Sequence, residues 1–255
     1  MCHMSTAKKL QKKGENMSKE EKFKHLLKEL SSCQKCLSLK KKNGTDCSLI
    51  NIYKSQEFCQ TIPSIWTDWF HRLDAKIFVI GQDWGPYIDM QKLHTEYQKN
   101  PTEKHWQNLI DTEPSLTKKM LTKYLILSAK DYNIKIDETI LNSLFITNAI
   151  MCARTGTTYR GNNIDLNKST KNCSYFLKKQ IEIVNPKIIV TLGYYPLLSL
   201  SEIYHFKIEK NLSKTIETSP IIALQDITII PLYHPTAQIK GETQLKQYQR
   251  IWENL

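Results

Sequence analysis

Four stretches of the chain are apolar at nearly every position, and each leads to a polar residue or a glycine. Ile77-Phe78-Val79-Ile80 runs into Gly81, Leu144-Phe145-Ile146-Thr147 into Asn148, Ile188-Ile189-Val190-Thr191-Leu192 into Gly193, and Ile227 to Leu232 leads to His234. Short runs rich in β-branched and aromatic residues, without polar alternation, are the pattern of strands buried on both faces. The segments between them carry helical spacing. Phe23, Leu26, Leu27 and Leu30 repeat along 18–30, with Ser18 ahead of Glu20 and Glu21 as a start signal. Leu116, Met120, Tyr124 and Leu127 mark one face of a helix over 115–130. Further helices are expected over 89–99, 102–110, 169–184 (beginning near Cys173), 195–203 and 242–252, and 62–70 reads as a helix or an apolar segment. Strands alternating with helices imply right-handed crossovers, and so an α/β fold with a mostly parallel sheet covered on both faces.

A chain of 255 residues can bury a full α/β core, and its 40% hydrophobic content is spread without a membrane-length run. We therefore expect a disordered basic tail over 1–17, a single globular domain over 18–255, and no transmembrane span. The tail is lysine-rich and lacks the apolar centre of a secretory signal, which implies a cytoplasmic, reducing setting. Seven cysteines in such a compartment are read as metal ligands or buried thiols, not as a disulfide framework. The net charge of +11 points to a polyanionic partner, with nucleic acid ahead of a membrane surface because no strongly amphipathic basic helix stands out. Lysine enrichment of the kind AT-rich genomes give is the alternative source of that charge.

Candidate chemistry clusters at the strand ends. In a parallel sheet, Asp83, Asn148 and His234 share one rim, where open α/β sheets bind ligands. A carboxylate, an amide and an imidazole there supply a base or charge stabiliser, a reader of a hydrogen-bonding edge and a donor to a developing anion. Gly81 and Gly85 let the backbone approach a flat or anionic group. Separately, Cys33-Gln34-Lys35-Cys36 has the spacing with which two thiolates reach one metal centre from a single turn. No thioredoxin-like strand precedes it, which argues against a redox pair.

These residues carry a specific resemblance. Gly81-Gln82-Asp83 after the first strand and His234-Pro235-Thr236 after the fourth resemble the two signature motifs of the uracil-DNA glycosylase superfamily. The resemblance spans about residues 25–250. It implies a three-layer αβα fold around a central four-stranded parallel sheet. Cys33 and Cys36, Thr147-Asn148-Ala149-Ile150-Met151-Cys152, and Cys173 ahead of Pro186 to Gly193 are similar to the iron-sulfur branch. In that branch four such cysteines hold a structural four-iron four-sulfur cluster, so Cys33, Cys36, Cys152 and Cys173 are the implied ligands. Cys47 and Cys59 follow the Cys-x-x-Cys closely and offer the alternative of a compact zinc site.

The match has departures. The iron-sulfur branch has Glu-Ala-Pro-Gly where this chain has Gln82-Asp83-Trp84-Gly85, so Asp83 resembles the cluster-free branch instead. The Pro-Phe-Val-Gly segment that supplies a stacking phenylalanine is missing, leaving Trp84 or Trp106 as candidate stacking residues. The resemblance implies a monomeric DNA glycosylase that excises uracil, or a related deaminated or modified base, and so initiates base excision repair. Asp83 and His234 would be catalytic, and Gln82, Asn148 and Tyr87 would bind the base. Arg154 and Arg160, between two of the cysteines, are expected to neutralise DNA phosphates. A glycosylase for another base and a catalytically silent nucleic-acid-binding module are the alternatives.

Overall fold

In a computed structural model of the protein, the described residues are 17–36, 49–54, 69–100, 102, 104–105, 108–109, 115–134, 136, 140, 143–155 and 165–255. The basic tail, Cys47, Cys59, Trp106 and Arg160 lie outside them. Of the helix expected over 102–110, positions 104, 105, 108 and 109 are described and helical, and most of the apolar segment over 62–70 lies outside.

The strands are β1 (Leu49–Ile50), β2 (Ile77–Gly81), β3 (Phe145–Asn148), β4 (Ala153–Arg154), β5 (Ile188–Leu192), β6 (Ile222–Leu224) and β7 (Ile227–Leu232). Among the described residues the α-helices include α1 (Lys19–Ser31), α2 (Tyr87–Gln98), α3 (Leu116–Ala129), α4 (Leu166–Val184), α5 (Tyr194–Tyr204), α6 (Leu212–Thr218) and α7 (Gly241–Glu253). The main sheet has the order β3-β2-β5-β7-β6. Its first four strands are parallel, as the apolar runs lead one to expect, and β6 adds an antiparallel edge. That edge strand escapes the sequence reading because its three residues are half-buried, exposed and half-buried, which is no strand signature by itself. β6 pairs with β7 only between Leu224↔Ile227 and Ile222↔Ile229. Pro231 therefore lies where one side of β7 is unpaired and a missing N–H is tolerated.

Pleating sends alternate residues of each strand to opposite faces. Phe78, Ile80, Phe145, Ile189 and Ile229 join Phe23, Leu27, Phe176, Ile181, Leu197 and Leu200 of α1, α4 and α5 in one apolar layer. Ile77, Val79, Ile146, Val190 and Ile230 join Leu121, Leu125, Tyr248 and Trp252 of α3 and α7 in the other. Burial of apolar surface in these two layers, worth about 25 cal/mol for each Å², is the main force holding the sheet between its helices.

Helix ends follow local chemistry. Ser18 and Glu21 form a full capping box on α1. α4 starts at Leu166, earlier than expected, because the Asp165 side chain accepts from the Lys168 N–H at 3.0 Å and caps it. Cys173 therefore lies two turns inside the helix and not at its entrance. Asn185, in the left-handed region at φ 55°, ends α4 ahead of Pro186.

β2 has β3 on one side and β5 on the other, so the chain leaves it in one direction and returns in the other. A crevice at the carboxyl end of such a strand is where α/β sheets bind ligands. Gly81 is the last residue of β2.

Candidate active site

The loop after β2 is held along its length by the segment after β3. Ala149 N–H donates to Gly81 O at 2.8 Å, Ile150 N–H to Gln82 O at 2.9 Å and Arg154 N–H to Gly85 O at 2.9 Å. The Trp84 indole N–H donates to Met151 O at 2.9 Å. Trp84 is buried and packs on Trp69, with ring centroids 5.8 Å apart. It is a core residue that pins the loop, which removes it as a candidate for stacking on a ligand.

Pinned in this way, the Asp83 side chain is only 5% exposed and forms an ion pair with Arg154, itself 11% exposed. Arg154 Nε donates to Asp83 Oδ1 at 3.0 Å and Arg154 Nη2 donates to Asp83 Oδ2. The Gly85 N–H donates to Oδ1 at 2.9 Å, and Gln82 Nε2 donates to Oδ2 at 2.8 Å. Gln82 thus faces Asp83, and Arg154 is committed to a buried carboxylate instead of standing free for an external phosphate. The ion pair escapes sequence reading because its members are 71 residues apart. The only hint is the charge of Arg154 in a segment that must dock beside β2.

Asn148 ends β3 in register with Gly81. It is 3% exposed, and its Nδ2 is buried with no hydrogen-bond partner among the described residues. A buried amide left without an acceptor is costly, on the order of 1–3 kcal/mol, and marks a position that a ligand acceptor would satisfy. The amide needs Gly81 to be glycine, because a Cβ there would overlap Asn148 Oδ1. Gly81→Ala should therefore lose about 1–3 kcal/mol in denaturant unfolding, as overpacked sites do, and Asn148→Ala in the same chain should recover most of it. Equal stability of Gly81→Ala and wild type would show that the amide swings away freely.

His234 follows β7 and is half-buried. Its Nδ1 lies 2.9 Å from Thr236 Oγ1 and 3.4 Å from the Thr236 backbone N–H. The backbone donor makes Nδ1 the acceptor, so the ring proton sits on Nε2 and is available to donate. Burial pulls the His234 pKa below its usual value, and the charge of Asp83 opposes this in part. The two residues are therefore close enough to feel each other electrostatically. Buried Gln244 and Gln247 of α7 hold the loop: Gln244 Nε2 donates to Ala237 O at 3.2 Å, and Gln247 Oε1 accepts from Tyr233 N–H at 3.2 Å.

Tyr87 opens α2 and is partly buried against the first apolar layer. At the end of β5, Gly193 takes φ 106°, which favours glycine, and Tyr194 and Tyr195 follow it edge to face, with centroids 5.7 Å apart. These half-buried tyrosines stand on the same rim and were not singled out from the sequence.

The four predicted cysteines are free and converge from three separate segments; Cys36, Cys152 and Cys173 are buried and Cys33 is half-buried. Hydrogen bonds from the Cys152 and Cys173 thiols, in that order, pull the Cys36 thiol well below its ordinary pKa. The same contacts with Cys36, followed by burial, push Cys152 and Cys173 upward. Cys33 is near enough to act on both by its charge. Among the described residues, no group of three or more His, Cys, Asp or Glu side chains is arranged as a single-ion centre. Cys36 is in hydrogen-bonding contact with Cys152 and Cys173, and that contact is the first cause of the shifts of these three. The chemistry of the donor set, four unpaired sulfurs, fits an iron-sulfur group.

Among the described residues, no helix is long and apolar enough to cross a membrane. The family model of the Uracil DNA glycosylase superfamily matches residues 68–255. No curated protein matches the sequence. Among solved structures, a citrate-bound domain of unknown function from Bordetella bronchiseptica is similar over 69% of this chain and 41% of its own, at 8% identity and a TM-score of 0.28.

Proposed function

The chain belongs to the uracil DNA glycosylase superfamily, and we propose that it excises uracil from DNA by hydrolysis of the N-glycosidic bond, in the cytoplasm and as a monomer. Membership makes it, at the coarse level, a DNA-binding hydrolase of the glycosylase type. The finer reading rests above all on the Asn148 amide, whose buried Nδ2 lacks an acceptor among the described residues on the rim it shares with Asp83 and His234. A flipped pyrimidine with a carbonyl edge would satisfy that amide.

The reaction separates charge, with a cation developing on the sugar and an anion on the leaving base. Asp83 opposes the first, and His234, neutral and protonated on Nε2, donates to the second. A site built to hydrogen-bond uracil disfavours cytosine, whose amino group would leave Asn148 Nδ2 facing another donor. Cys33, Cys36, Cys152 and Cys173 would hold a four-iron four-sulfur cluster whose part is structural, tying the end of α1 to α4 and to the segment that carries Arg154. Four free thiols gathered from distant segments support this reading over a zinc site that includes Cys47 and Cys59, which lie outside the described residues.

The test is single-turnover cleavage of single-stranded oligonucleotides, each carrying one uracil, hypoxanthine or hydroxymethyl-pyrimidine. We expect release of uracil. Release of one of the others alone would reassign the substrate, and DNA binding with no base released would favour a silent recognition module.

A further inference from the structure

We propose that Arg154 is a positioning residue for base excision, acting through Asp83 by fixing the direction in which that carboxylate's charge faces the deoxyribose. This role rests on the reading of Asp83 as the group that opposes the sugar cation. It departs from the expectation that Arg154 contacts DNA phosphate.

Three observations carry it. The first is the fork: Arg154 Nε and Nη2 each take one oxygen of the same carboxylate, with both side chains at least 89% removed from solvent. A guanidinium so placed reaches an external phosphate only by abandoning a buried charge, which is unfavourable. The second is saturation. An ionised carboxylate accepts at roughly four lone-pair positions. Here Gln82 Nε2, the Gly85 N–H and the two Arg154 nitrogens supply four donors. Asp83 has no acceptor position left over for a proton or a water, so its action on the sugar is electrostatic. The third is the frame: backbone hydrogen bonds from Ala149, Ile150 and Arg154 to Gly81, Gln82 and Gly85 leave the pair no freedom to rotate as a unit.

The physics of a paired charge explains why direction matters. A lone carboxylate attracts a cation from any side with an energy that falls as the inverse of distance. A carboxylate bonded to a guanidinium acts beyond the pair as a dipole, whose effect changes sign with orientation and falls more steeply. Such a pair helps the sugar cation only if its negative end is aimed at it, and the planar fork of arginine sets that aim where lysine's point charge would not.

The experiment compares full-length wild type, Arg154→Gln, Arg154→Lys, Asp83→Asn and the double variant Asp83→Asn/Arg154→Gln, each shown to be folded by thermal melting. Excision of uracil is followed under single-turnover conditions, and binding to uracil-free DNA across a salt series. Arg154→Gln should slow excision by about a hundredfold, the scale of a misplaced catalytic contact, with DNA affinity unchanged. Arg154→Lys, which keeps the charge and carries the test if Arg154→Gln does not fold, should slow it by about tenfold. In the Asp83→Asn chain, adding Arg154→Gln should cost less than about threefold, because residues acting as one unit are not additive. Three results would each overturn the role: excision by both Arg154 variants within about threefold of wild type, a full loss repeated on top of Asp83→Asn, or a salt slope reduced by about one, the mark of a lost phosphate contact. A wild type that releases none of the test bases removes the functional reading and this role with it. A wild type that excises uracil alongside equally active Arg154 variants removes this role alone.

Discussion

Asp83→Asn and His234→Ala should each release uracil on the order of a hundred- to a thousandfold more slowly than wild type under single-turnover conditions, with DNA affinity nearly unchanged. In the proposed mechanism the two residues act on opposite ends of the breaking bond and neither holds the phosphate backbone. For Asp83 the structure sharpens the reason. Its oxygens accept from Gln82, Gly85 and twice from Arg154, so an amide nitrogen in place of one oxygen would meet a donor whichever way it turned. The substitution also leaves the Arg154 charge buried and unpaired, a loss of about 3–5 kcal/mol for broken pairs of this kind, so melting must accompany the kinetics.

His234 adds a pH dependence with a definite sign. Its pKa is lowered in the folded protein, chiefly by burial and against the opposing charge of Asp83. The neutral donor form therefore persists below about pH 6.5, the ordinary histidine value, and the acid limb of the rate profile that belongs to His234 should lie beneath it. By linkage, the unfolded chain takes up this proton first as pH falls. Stability contributed by the neutral ring is present above the unfolded pKa and is lost as pH falls through and below it. The limb should vanish in His234→Ala. Near wild-type excision by both Asp83→Asn and His234→Ala would show that the chemistry sits elsewhere.

The parallel strands were legible because Ile77–Ile80, Leu144–Thr147 and Ile188–Leu192 are apolar on both alternations, and burial on both faces leaves sequence no other pattern. Their polar ends were legible for the same reason: Asn148 interrupts an apolar run, and a residue that does so at the rim of a parallel sheet has few places to point. What the sequence hides is commitment. Arg154 reads as a loop arginine facing solvent, yet the backbone ladder between 81–85 and 149–154 delivers it to Asp83. Trp84 reads as an aromatic beside the site, yet its indole N–H is drawn to Met151 O and its ring to Trp69. Both outcomes depend on pairings across more than 60 residues, which no local period encodes. The cap at Asp165 is a different case, since an Asp three residues ahead of Lys168 at a helix start is a local signal that the apolar spacing of α4 outweighed.

Cys36→Ala and Cys173→Ala should give protein of low solubility and little bound iron, against a brown wild type with about four irons per chain when purified without oxygen. Cys33 and Cys36 follow α1, Cys152 follows β3, and Cys173 lies inside α4. A group bound by all four would join three segments that meet around Cys36 and Cys152 in the small apolar set of Leu49, Ile150 and Leu166, while α1 and α4 also pack on each other in the first apolar layer. That local set is small, each fully buried aliphatic side chain contributing only about 1.5–3 kcal/mol, so loss of the group should loosen the loops around Cys36 and Cys152 first. The effect should also spread. Cys152 is two residues from Arg154, and β4, which holds both Arg154 and its pairing to Leu49 of β1, is the strand that presents the guanidinium to Asp83. Loss of a cluster ligand should therefore slow uracil excision by whatever protein remains soluble, whereas Cys59→Ala, outside the four, should keep both iron and rate. Zinc without iron in oxygen-free preparations, or full iron in Cys173→Ala, would overturn the ligand assignment.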